Sequence, residues 1–108
     1  MVELNMLKPK LEFPKEYTDA PTVLSTDLIG KVAFIKSALP YTKEGVGKCA
    51  FLLTIEGKTL ALFTQAKALV EVGEAIAVLG DEFDGCKVRF VTKKTKSGKD
   101  YIDMEAAE

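Results

Sequence analysis

The alternation of apolar and polar positions is sharpest in two stretches of the chain. In residues 51–63, two apolar runs flank Glu56-Gly57. With those two residues as the loop, Leu53 faces Leu60 and Phe51 faces Leu62, and the period of two sorts the side chains. Phe51, Leu53, Leu60 and Leu62 form one face, which reads as core. Ala50, Leu52, Thr54, Thr59, Ala61 and Phe63 form the other, a mixed face on which something else can lie. Glutamate suits a left-handed turn position poorly, so a longer loop competes with this register. In residues 86–93, Cys86, Val88, Phe90 and Thr92 point one way. Lys87, Arg89, Val91 and Lys93 point the other, the pattern of a half-buried strand.

The remaining elements follow from weaker signals. Residues 29–37 predict a first strand in which Val32 and Phe34 alternate with Lys31, Ala33 and Ile35, and Gly30 marks a bulge or sharp coil. Pro40, Gly45 and Gly47 make residues 39–48 a flexible loop. Residues 64–73 predict a short helix, with Thr64 as cap and Gly73 as stop. Ala66, Leu69, Val70 and Gly73 give it one packing face. Residues 75–79 are apolar on both sides and predict a covered strand. Turns follow at 80–85 and 95–99. The last strand spans 101–104, with Ile102 and Met104 inward. Before all of this, Pro9, Pro14 and Pro21 break up residues 1–24 into an extended N-terminal arm, which Phe13 and Tyr17 can pin to a surface. The expectation is therefore an arm (1–24) on one folded domain (25–108). An arm swapped onto a neighbouring subunit is the sharper alternative.

Composition narrows the chemistry. At 108 residues the chain suits a single core. It contains no histidine, which removes the commonest general base and metal ligand. Cys49 and Cys86 are not in a CxxC arrangement and read as buried free thiols, with a disulfide between them left open. No nucleophile with a base, phosphate loop or EF-hand pattern is present, so the expectation is a non-enzyme without a cofactor. No long apolar run suggests a spanning helix, which makes a cytoplasmic setting without a membrane partner the default.

The net charge of −1 hides a segregation. Lys87, Arg89, Lys93, Lys94, Lys96 and Lys99 follow one another with no acid between, while Glu71, Glu74, Asp81, Glu82 and Asp84 precede them. A basic row of this kind can track phosphates, although lysines on a solvated sheet edge also discourage strand pairing. Aromatic rings would supply base stacking, worth on the order of 1–3 kcal/mol per base. The candidates are Tyr41, Phe63, Phe83 and Tyr101, whereas Phe34, Phe51 and Phe90 are placed in the core.

Strand, loop, hairpin, short helix, strand, hairpin: this order over residues 29–104 resembles the oligonucleotide/oligosaccharide-binding (OB) fold. The resemblance implies a mainly β protein, a five- to six-stranded OB-fold barrel with one short helix between strands three and four. Within that fold the chain is most similar to small, phage-type single-stranded DNA-binding proteins, although it lacks the Gly/Pro-rich spacer and acidic tip of bacterial members. For such a protein the setting would be the cytoplasm, or a host's cytoplasm if phage-encoded. The implied function is non-sequence-specific binding of single-stranded DNA, with RNA left open, as an accessory in replication, recombination or repair. The implied site comprises Tyr41, Lys43, Lys48, Lys58, Phe63, Lys87, Arg89, Lys93, Lys94, Lys96, Lys99 and Tyr101. Homo-oligomers are common among such proteins and are expected here. The alternative is an interaction subunit that docks a partner or its own copy on Ala50, Leu52, Ala61 and Phe63.

Overall fold

The computed structural model describes residues 13–107, so residues 1–12 of the expected arm lie outside the described residues. The elements in chain order are α1 (Lys15–Asp19), β1 (Thr22–Val23), a 3-10 turn (Ser25–Leu28), β2 (Val32–Lys43), β3 (Val46–Ile55), β4 (Lys58–Thr64), α2 (Lys67–Leu79), a second 3-10 turn (Gly80–Glu82), β5 (Cys86–Lys94) and β6 (Asp100–Ala106). The fold is mainly β, a strongly curled six-stranded half-barrel in the order β1-β4-β3-β2-β5-β6. β1 joins β4 in parallel, and the other pairings are antiparallel.

β2 couples the two halves of this sheet. Its start, Val32 to Ile35, pairs with β5, and most of its length pairs with β3. The register shifts between Ile35 and Ser37, a bulge at Lys36 that bends and twists the strand. The short β1 and β6 end the curl, and neither β1 nor β4 pairs with β6. With β2 to β6 as the long strands, α2 falls between the third and the fourth, as in an OB-like barrel. The loop between the fourth and fifth strands is then the turn at residues 95–99.

The β3–β4 hairpin has the register that alternation predicts, with Phe51 opposite Leu62 and Leu53 opposite Leu60. Its loop is the Glu56-Gly57 dipeptide, with φ of 50° and 78°. Both values are left-handed, as the tightest hairpin turn with matching twist requires. Leu53 and Leu62 are buried in the main core with Phe51, Ile35, Val88 and Phe90, while Leu60 packs at its margin.

Several expectations are corrected. Residues 39–48 are not a loose loop. β2 and β3 run on to a second two-residue turn, Glu44-Gly45, whose φ values are 54° and 78°. Pro40 is tolerated because it pairs with Cys49 at a position where its nitrogen faces away from β3. On that side β5 has already stopped, at Ile35 opposite Cys86. Residues 75–79 are not a strand: α2 continues through Gly73 and ends at Gly80. Gly73 is a point of close approach. A Cβ there would overlap the Cys49 sulfur and lie 3.3 Å from Phe51 Cζ. The residue predicted to stop the helix is therefore what lets it dock. Thr64 does not cap the helix either. Its hydroxyl accepts from the Ala66 N–H at 3.1 Å and shapes the approach to the first turn.

α2 lies on the concave side, where Leu69, Val70 and Ile76 join the core. The arm takes the other side. Instead of an extended segment it forms α1, directly after Pro14 and before Pro21. It covers the convex face, where Tyr17 packs with Ala50 and Leu52 of β3.

Candidate nucleic-acid interface

Strand alternation decides which sequence-predicted residues meet. On the convex face, β5 presents Lys87, Arg89, Val91 and Lys93, the side opposite buried Val88 and Phe90. At about 3.4 Å per residue, Lys87 to Lys93 spans roughly 20 Å. Phe34 of β2 lies opposite Lys87, and Tyr101 of β6 lies opposite Lys93. Phe34 is 42% exposed and Tyr101 37% exposed. An exposed basic row is thus bracketed by two accessible rings.

Phe34 corrects the expectation of a core residue. Ala33 and Ile35 are the buried neighbours, so alternation sends Phe34 outward. Its ring occupies the space that a side chain at Gly85 would need. A lone strand cannot reveal which of its faces is inner when both carry apolar residues, and Lys31 and Lys36 gave no help.

The basic row is less bare than residues 86–99 suggest, because β6 brings acids alongside it. Lys93 Nζ donates to Asp103 Oδ2 at 2.8 Å and lies 3.7 Å from Glu105. Lys94 approaches Asp100 at 3.5 Å. The hydrogen bond to Asp103 holds the Lys93 ammonium above its ordinary pKa. Burial pushes the Asp103 carboxyl up, but the bonds from Lys93 and the Met104 N–H, with the Lys93 charge, outweigh it and hold the pKa low. Arg89 keeps an exposed guanidinium in the middle of the row.

The other candidates lie elsewhere. Lys94 and Lys96 line an open cleft of about 1040 Å³ between α2 and the β5–β6 turn, facing Lys67, Glu71 and Val72. Lys99 sits at the same turn, its N–H donating to Thr95 Oγ1 at 3.1 Å. Lys58 flanks the β3–β4 turn, apart from both groups. Phe83 packs against the core, which removes it as a stacking ring. Cys86 is exposed and Cys49 buried, both as free thiols, so the expectation of two buried cysteines holds for Cys49 alone. Burial pushes the Cys49 thiol up to about 12.

Tyr41 and Phe63 do come together on the convex face, with Lys43 and Lys48 near them at the β2–β3 turn. They are not bare. The Phe13 ring stands edge-on to both, with centroids 5.1 Å from Tyr41 and 5.2 Å from Phe63. Tyr17, only 4% exposed, shares a 2.6 Å hydrogen bond between its hydroxyl and that of Ser37. Burial raises the pKa of both Tyr17 and Tyr41. The apolar face that could dock a partner is thus covered by the chain's own α1.

Among the described residues, no helix is long and apolar enough to cross a membrane. The chain matches no known family model, no curated protein and no solved structure. The likeness to the OB fold therefore rests on strand order and the position of α2.

Proposed function

We propose that the protein binds single-stranded nucleic acid, DNA in the first instance, along the convex face of β5 and with little sequence preference. The observation that carries this reading is the row Lys87, Arg89 and Lys93, bracketed by the exposed rings of Phe34 and Tyr101. Cations on alternate strand positions can follow a phosphate backbone, and the rings at either end offer stacking sites that any base can use. Arg89 is the central phosphate contact. Lys93 is shared with Asp103 and Glu105, so phosphate has to compete with carboxylates there. An accessory role in replication, recombination or repair, in the cytoplasm, is the setting that fits. Self-association through Ala50, Leu52, Ala61 and Phe63 requires α1 to leave that face, which makes it the weaker reading.

The test is fluorescence anisotropy with labelled oligo-dT at low and moderate salt. Binding should weaken as salt rises. Phe34→Ala should cost roughly tenfold in affinity, the equivalent of one lost stacking contact. Arg89→Ala should weaken binding and reduce the salt dependence. No binding at low salt, or equal binding to duplex, overturns the reading.

A further inference from the structure

The convex face does not end at the basic row. β2 carries Phe34 in that row and, past the Lys36 bulge, carries Ser37, Leu39 and Tyr41 on the same side. These run on into Lys48, Ala50 and Leu52 of β3 and Phe63 of β4. The surface is continuous, and α1 lies on its second half. Two rings there, Tyr41 and Phe63, are engaged by a third from the same chain, Phe13.

We infer that the Tyr41–Phe63 platform is a second stretch of the same single-strand-binding surface, and that α1 is a cover which the incoming strand displaces. This rests on the reading of the β5 row as a nucleic-acid track. The cover resembles what it excludes. Phe13 takes the place between two rings that a base would take. Glu16 and Asp19 line a crevice of about 430 Å³ with Lys36 and Thr59, so two carboxylates share that crevice with a cation two residues beyond Phe34, where a phosphate would pass.

The cover is also lightly held. α1 is a five-residue helix with no side-chain cap at its start. A helix of that length has no stability of its own. Among the described residues, the Tyr17–Ser37 bond is the hydrogen bond that ties an α1 side chain to the sheet. Tyr17, Phe13 and Ala20 add apolar contact, and behind α1 the Ala61 N–H donates to the Pro21 carbonyl at 2.9 Å where β1 joins β4, so the cover is hinged at that end. A site that is open for only part of the time shows a weaker apparent affinity in proportion to the open fraction. Loosening the cover must therefore tighten binding, and a bound strand must loosen the cover.

The experiment compares oligo-dT binding by the full chain and by the Phe13→Ala/Tyr17→Ala variant. The variant should bind about tenfold more tightly and protect a longer oligonucleotide. Adding Tyr41→Ala should abolish that gain, whereas adding Arg89→Ala should weaken both forms and preserve their ratio. A variant with native circular dichroism and no gain overturns the cover. If the variant misfolds, hydrogen exchange of the wild-type chain decides. Amides of residues 15–20 should exchange several-fold faster with oligo-dT bound, and unchanged or slower exchange overturns the proposal. The two readings fail separately. A wild-type chain that binds through Arg89 while the variant gains nothing sinks the cover alone. A variant that binds while the wild type does not, with an affinity that Arg89→Ala leaves unchanged, sinks the β5 track and with it the claim that the platform continues that surface. Failure of both to bind sinks both.

Discussion

Replacing Gly73 by alanine sets two effects of opposite sign against each other. Alanine in a helix interior is favoured over glycine by about 0.5–1 kcal/mol, from backbone entropy. Against this, the added methyl would overlap the Cys49 sulfur, with Cys49 Cβ at 3.2 Å and Phe51 Cζ at 3.3 Å. Cys49 and Phe51 are fully buried on a central strand and cannot swing away. Overpacking of this kind typically costs about 1–3 kcal/mol. Packing should win, with a net loss of about 1–2 kcal/mol and a Tm lowered by roughly 5–10 °C for a domain of this size. Urea unfolding of Gly73→Ala, Cys49→Ala and the double variant measures it. Removing the sulfur makes room for the methyl, so the pair should show a favourable coupling of about 1 kcal/mol or more. A stabilised Gly73→Ala with no coupling would refute the docking of α2 on β3, and with it the continuation of the helix into residues 75–79.

Other expectations follow from the same geometry. In the native chain a maleimide should label Cys86 alone, and in denaturant both thiols, as mass spectrometry can count; labelling of Cys49 at neutral pH without unfolding would contradict its burial. Because the folded pKa of Asp103 is depressed, its contribution to stability is full above its ordinary value of 3.8 and is lost as pH falls through the lower folded value. Asp103→Asn should therefore destabilise the chain at neutral pH and flatten the acid side of its stability profile, measured by urea midpoints across that range. Glu56 has φ of 50°, which asparagine tolerates better. Glu56→Asn should stabilise by roughly 0.5–1 kcal/mol, and an unchanged midpoint would argue against the two-residue turn.

Where alternation was strong, the fold could be read directly. The β3–β4 register and the inward set Val88, Phe90 and Met104 needed only a period of two. Punctuation residues misled because their roles are tertiary. Pro40 sits in a strand since no partner needs its nitrogen, and Gly73 sits in a helix since Cys49 needs its space. The exposed ends of α2 misled for a similar reason. Val78 is 86% exposed, so the apolar run 75–79 reflects an uncovered helix end and not a buried strand. The basic row was legible on β5, but its neutralisation by Asp100, Asp103 and Glu105 was not, because those acids arrive on the next strand. The rings divided in a similar way: the placing of Tyr41 and Phe63 on one face follows from the register, while the presence of Phe13 over them depends on the path of the arm.

Among the described residues, the stretch of β2 beyond Ile35 leaves one margin of the β2–β3 hairpin without a neighbouring strand. A bare margin of that kind is where foreign chains add themselves and aggregates begin. Pro40 stands midway along it with no hydrogen to offer, so an invading strand meets a gap in the ladder it would need. The residue that makes this part of the sequence look like a loop is then a guard on the molecule's solubility.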